Sequence, residues 1–306
     1  MGFSIHEGGL YKSFNKSIRN RVNKGWAKVA AIQNFLKSPA ITQFGWLRAA
    51  ITLTQATIPP VLTYAAETWL DAPKYTMKNL ESAYKQMIYA IFGFGEKTKF
   101  SSVLLELGLM RIKHIIAKLQ ISYMSTVVWD MVDTTVHQVI MEEFKILGDR
   151  SPLAIADKLA VGYGFKKISE HPINKRVLKR AVKMANDAEV WRDCFMSTII
   201  PTRPYFRVRD KSHFSWEKSK VKVLLAYKTG SLKFKTAWRI YNTKRGIGTH
   251  CLFNLCPNLD NLYHVQQCLF YEVKWKREYL DSEEQLAEYL LQLNRERIKK
   301  FRMPII

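Results

Sequence analysis

The chain has 306 residues, enough to bury a core without disulfides, and this length suits two helical lobes or one lobe with appended modules. Its 48 lysines and arginines outnumber 26 aspartates and glutamates for a net charge of +22, while a hydrophobic fraction of 47% excludes a disordered basic tail. A cation surplus on a folded body points to polyanions, RNA or DNA first and an anionic membrane second, with counterion release from phosphates as the driving force.

Helical periodicity dominates the chain. Phe14, Ile18, Val22, Trp26, Val29, Ile32 and Leu36 fall three and four apart, which predicts a long amphipathic helix that Pro39 ends. A second helix is expected from Thr42 to Thr57, with a kink at Pro59 and Pro60, then a short helix carrying Tyr64, Glu67 and Trp69. Lys78 to Phe92 repeats the pattern and closes at Gly93. Ser101 to Leu107 reads as a short helix, and Arg111 to Leu147 as one long helix or two nearly collinear ones.

The longest apolar stretch, Trp46 to Leu70, is interrupted by Arg48, the two prolines and Glu67, so no transmembrane helix is expected. The opening residues show no secretion signal. The expected location is therefore nuclear or cytoplasmic.

Gly148 and Pro152 mark a joint, after which cations crowd together. Lys175, Arg176, Lys179, Arg180 and Lys183 would form a stripe of about three turns on one helix, suited to tracking a phosphate backbone or to serving simply as a solvated face. From Arg203 to Arg245, cations including Arg207, Arg209, Lys211, Lys218, Lys222, Lys228, Lys235 and Arg239 alternate with aromatics. Phosphate contact combined with base stacking is how single strands are held, and Trp216 and Trp238 are the first choices for stacking, although most of these aromatics are expected in the core. Helices are expected near Glu217 to Lys228, Leu232 to Tyr241 and Ser282 to Phe301.

Three of the four cysteines are clustered, as Cys251-x4-Cys256-x7-His264-x3-Cys268. Thiolate and imidazole together suit zinc, and four protein ligands would make the site structural. His250 competes with Cys251 for a ligand position, and the alternative is that the cysteines are small buried residues. No nucleophile elbow or phosphate loop is present. Asp130 and Asp133 could share a helix face, a common arrangement that gives little ground for catalysis.

Four stretches in order resemble the C-terminal half of the reverse transcriptase protein of non-LTR (LINE-type) retrotransposons. Gly2 to Ile5 looks like the strand leaving the polymerase palm. The run from Pro59 to Trp69 is similar to the thumb-region signature P-x-L-x-Y-G-x-E-x-W, with Ala65 in place of glycine, and Ser101 to Gly108 resembles the turn downstream of it. Leu224 to Gly230 followed by Cys251, Cys256, His264 and Cys268 matches the order of an R-x-G helix and a Cys-Cys-His-Cys knuckle, with Lys228 replacing the arginine, a wider first cysteine gap and a last gap one residue shorter.

The resemblance implies a mainly α fold: a thumb-like helical bundle over 1–150, a basic helical linker lobe over 151–245, and a zinc knuckle with a C-terminal helix over 246–306. It implies a partner in a template-primer duplex, RNA or target DNA, and in the remainder of a reverse transcriptase or ribonucleoprotein. The family's paired palm carboxylates have no counterpart here, so the chain by itself is not expected to polymerise. A domesticated scaffold that binds proteins within a ribonucleoprotein is the alternative.

Overall fold

The computed structural model describes residues 10–43, 45–70, 72–96, 98–195, 217–229, 268, 271–272, 274, 276 and 282–301. Among them the chain is mainly helical and contains no strand. The helices are α1 (Leu10–Phe35), α2 (Pro39–Gln43), α3 (Trp46–Leu62), α4 (Lys74–Phe92), α5 (Phe100–Leu107), α6 (Ile112–Trp129), α7 (Thr135–Leu147), α8 (Pro152–Gly162), α9 (Lys175–Phe195), α10 (Lys218–Lys228) and α11 (Glu283–Phe301). None is long and apolar enough to cross a membrane. The expected strand at Gly2 to Ile5 and the expected helix at Leu232 to Tyr241 lie outside the described residues.

The chain forms two units, the first comprising Met1–Phe35, Ile51–Ile91 and Leu107–Thr198. Here α1 buries Ile18, Arg21, Gly25, Val29 and Ile32, a seam at helical spacing that differs from the apolar stripe in the sequence. Trp26 is left partly exposed, because the helix turns its glycine toward its neighbours. A Cβ at Gly25 would stand 2.7 Å from the Met87 side chain and 3.3 Å from that of Leu62. A side chain at this position would oblige the flexible end of Met87 to move. Gln33 then reaches from α1 to the Ala90 carbonyl at 2.8 Å.

Pro59 and Pro60 do not end α3, which runs on to Leu62. Their fixed φ is compatible with a helix, and both the amide and the hydroxyl of Thr63 donate to the Pro59 carbonyl at 2.8 Å. A turn follows in which Ala65 takes φ 53, the one described non-glycine residue with positive φ. A single 3-10 turn, Ala66–Thr68, comes next. Arg21 holds this turn from α1, donating to the Tyr64 carbonyl with its guanidinium 4.5 Å from the Trp69 ring centroid.

The stretch from Arg111 to Leu147, expected as one long helix or two nearly collinear ones, is two helices separated at Asp130 to Thr134, where the Thr134 hydroxyl accepts from the His137 amide and starts α7. Asp130 and Asp133 therefore lie in a turn, and do not share a helix face. Residues beyond the joint at Gly148–Pro152 pack with those before it. Ile121 and Met124 of α6, Leu153 and Ala156 of α8, and Leu178 and Val182 of α9 line one core, against which Ile140, Met141 and Phe144 of α7 are packed.

The second unit comprises Leu36–Ala50, Phe92–Glu106 and Ile199–Ile306. Trp46 is buried edge-on against Phe92, ring centroids 5.9 Å apart. Helix α10 buries every residue from Val223 to Lys228 and packs on α11. Within this unit Arg297 is wholly buried and donates to the Tyr271 hydroxyl at 2.8 Å.

Candidate nucleic-acid interface

Helix α9 begins where Asn174 caps it, its Oδ1 accepting from the Arg176 amide at 2.9 Å and the Val177 amide at 3.3 Å. Leu178, Val182, Asn186 and Val190, four residues apart, form its buried face. Asn186 is satisfied there, its Oδ1 accepting from the Arg111 amide at 2.9 Å. This leaves Lys175, Arg176, Lys179, Arg180 and Lys183 exposed on the outer face, as the sequence spacing predicts.

The two ends of α9 differ in charge balance. Lys183 pairs with Asp187 at 2.9 Å, and Glu189 and Asp193 bind cations of α6 and the residue before it. Arg111 contacts Glu81 at 3.3 Å, Glu189 at 3.3 Å and Asp193, while Lys113 meets Glu189 at 2.6 Å. Burial lifts the Glu81 carboxyl above its ordinary range against the pull of Arg111. Burial also acts to raise Glu189, but hydrogen bonds from Lys113 and His114, with the nearby positive charges, outweigh it and hold that carboxyl low.

His114 is buried between two partners, Tyr163 Oη at 2.7 Å from Nδ1 and Glu189 Oε2 at 2.9 Å from Nε2. A neutral ring satisfies both contacts: the phenol donates to Nδ1, and Nε2–H donates to the carboxylate. Burial lowers the His114 pKa, which favours this neutral form. The cluster fastens α9 to α6 and α8 and leaves its first half free of acid.

Between His171 and Asn186 the sequence has five lysines and arginines and no carboxylate. Lys175, Arg176, Lys179 and Arg180 have no acidic partner among the described residues. Lys118 of α6 is half-buried and within range of this charge: its pKa is lowered by burial and then by the charge of Lys179. Sequence reading missed Lys118 because it lies in an otherwise apolar run, 61 positions from the lysine it faces.

Like charges at i,i+4 oppose helix formation by about 0.2–0.5 kcal/mol a pair. The pairs Lys175/Lys179, Arg176/Arg180 and Lys179/Lys183 persist because the opposite face is packed. An anion on the outer face removes that repulsion.

The cations of α10 are placed differently. Lys228, expected to contact phosphate, is 3% exposed with its ammonium 3.7 Å from Glu106, so it is not presented to a ligand. Lys218 and Lys222 are half-buried, their ammonium groups 5.6 and 5.8 Å from the Trp46 ring centroid. Lys220 is held by Glu288 at 2.7 Å and Glu284 at 3.1 Å. A lysine stem lies along apolar surface at little cost, so a basic stretch of sequence can still form a buried helix.

Arg207, Arg209, Lys211, Trp216, Lys235, Trp238 and Arg239 lie outside the described residues, as do Cys251, Cys256 and His264. Cys268, the fourth expected zinc ligand, is buried. Among the described residues no group of His, Cys, Asp and Glu is arranged to hold a metal ion. No family model, curated protein or solved structure matches the chain.

Proposed function

We propose that this chain binds RNA or DNA, as the C-terminal portion of a non-LTR retrotransposon reverse transcriptase without its own polymerase centre. The observation that carries this reading is the outer face of α9, a firmly seated helix whose first half holds four exposed cations with no acidic partner among the described residues. Such a surface holds a phosphodiester chain by charge and spacing, with no demand on base sequence.

The family resemblance is supported by what its motif residues do. Ala65, which stands where the thumb signature has glycine, takes the left-handed backbone that glycine favours. Glu106 of the downstream turn and Lys228 of the R-x-G stretch, 122 positions apart, form a buried ion pair. In this reading the motifs maintain the fold and the cations around them bind the ligand.

The test is affinity for a fluorescent RNA–DNA duplex measured across a salt series. Binding should weaken steeply as salt rises, and Lys175→Gln with Lys179→Gln should flatten the log–log slope by about one for each phosphate no longer neutralised. Lys145→Gln on α7 serves as the control. A slope near zero, or a slope unchanged by the α9 variant, rules the reading out.

Zinc belongs to the same proposal, held by Cys251, Cys256, His264 and Cys268 on the strength of their spacing and donor types. Metal analysis should find one zinc per chain, and Cys256→Ser with Cys268→Ser should release it while helix content in the thumb-like bundle is kept. A second reading, a retroelement-derived scaffold that holds proteins within a ribonucleoprotein, is favoured by the exposed apolar face of α7.

A further inference from the structure

The carboxylates of this basic chain are not evenly spread. Between residues 130 and 149 stand Asp130, Asp133, Glu142, Glu143 and Asp149, with Lys145 the one lysine or arginine among them. Helix α7 occupies most of this stretch and has no fully buried residue, although Ile140, Met141 and Phe144 rest on the core. Its other apolar side chains face water: Val136, Val139 at 50% exposure, Ile146 at 77%, and Leu147.

Val136, Val139, Glu143 and Ile146 follow one another at steps of three and four, so they form a single stripe with Glu143 within it and Leu147 beside it. Val132 extends the apolar surface into the preceding turn. Glu142 is paired with Lys145 at 3.1 Å. Asp130, Asp133 and Glu143 have no cationic partner among the described residues, in a chain whose net charge is +22, whereas Asp149 already meets a cation, its carbonyl accepting from the Lys158 ammonium at 3.3 Å.

We propose that this face of α7 docks a lysine- or arginine-rich amphipathic helix of a partner polypeptide. The partner's apolar residues would cover Val136, Val139 and Ile146, and its cations would meet Glu143 and the carboxylates of Asp130 and Asp133 in the preceding turn. Three-four spacing on α7 is what a second helix reads. Phosphate would meet like charge at Asp130, Asp133 and Glu143, and pairing α7 with itself would set glutamates against glutamates. The proposal goes beyond nucleic-acid binding at α9 and does not depend on it.

The probe is a labelled synthetic peptide with a leucine face flanked by lysines, titrated with the purified full-length chain at physiological salt. Two comparison peptides are used, one with glutamate at every lysine position and one scrambled. The lysine peptide should bind best, against the net positive charge of the chain. Val139→Ser with Ile146→Ser should weaken it by about tenfold or more, the scale of removing a central apolar anchor.

Glu142→Lys with Glu143→Lys should weaken binding of the lysine peptide and strengthen that of the glutamate peptide. All four positions are on a partly exposed helix, so unchanged circular dichroism is expected, and each pair checks the other. Stronger binding by the glutamate peptide to the unaltered chain overturns the proposal, because bulk charge would then explain the result. It is equally overturned if both variants bind as the parent does, or if the chain sediments as a dimer that the serine variant dissociates, since a second copy would then occupy the face.

Discussion

Helices α9 and α10 are both rich in lysine, yet they use it in opposite ways. On α9 the cations project from a helix whose other face supplies the packing; on α10 no residue is fully exposed, Lys228 is buried, and Lys218 and Lys222 are half-buried with it. Charge density along a sequence therefore does not locate a binding surface. What decides is whether a carboxylate or an aromatic ring of the fold has already engaged each cation, and Glu106 and Trp46 do this for α10.

Of these side chains, Lys228 should matter most to stability. Lys228→Ala takes a buried ammonium away from the Glu106 carboxylate and should cost about 3 kcal/mol of stability in urea unfolding. A loss no greater than that of an exposed lysine would return Lys228 to the surface set.

The second test concerns how α9 is fastened. His114→Gln removes the ring that bridges Tyr163 and Glu189 and should cost about 1–3 kcal/mol near neutral pH. The same histidine sets a pH dependence. Its folded pKa lies below the ordinary 6.5, so as the pH falls through that range the unfolded chain takes up the proton first. Stability should drop on acidification below about 6.5, and this component should be missing in His114→Gln; parallel pH profiles for the two proteins would show that the ring is not held neutral.

A smaller change tests the turn that Arg21 holds. Ala65→Gly relieves a left-handed alanine, a strain of about 1 kcal/mol, and part of the gain is offset by the greater freedom of glycine in the unfolded chain. The net effect expected in thermal unfolding is a stabilisation below about 1 kcal/mol, and destabilisation would mean that the Ala65 methyl group packs usefully.

Smallest of all for stability are Lys175→Gln and Lys179→Gln, which should stay within about 0.5 kcal/mol of the parent by the same measurement. Beside the loss at Lys228, such a result separates one lysine that maintains the fold from two that affect only binding.

Much of this could be read from residue order. The sequence marked α1, α4, α10 and α11 to within a few residues, because an amphipathic helix must repeat its apolar side chains at steps of three and four to bury one face, while for α9 it showed only the cationic stripe of the first turns. The outer face of α9 was equally legible, since the residues opposite Leu178 and Val182 have nowhere to go but water. The break at Asp130 to Thr134 was harder to see, because Thr134 caps α7 inside a run whose apolar content continues on both sides.

The choice among cations belonged to tertiary structure alone. No local pattern shows that Lys228 will meet a glutamate 122 positions earlier, that Lys118 will stand beside Lys179, or that α1 will bury Arg21 and Gly25 in preference to Trp26. Periodicity states which residues share a face of one helix. Whether that face meets water, an apolar wall or an opposite charge depends on residues brought together from distant parts of the chain, and the energy of a charged group depends on those neighbours far more than on its own helix.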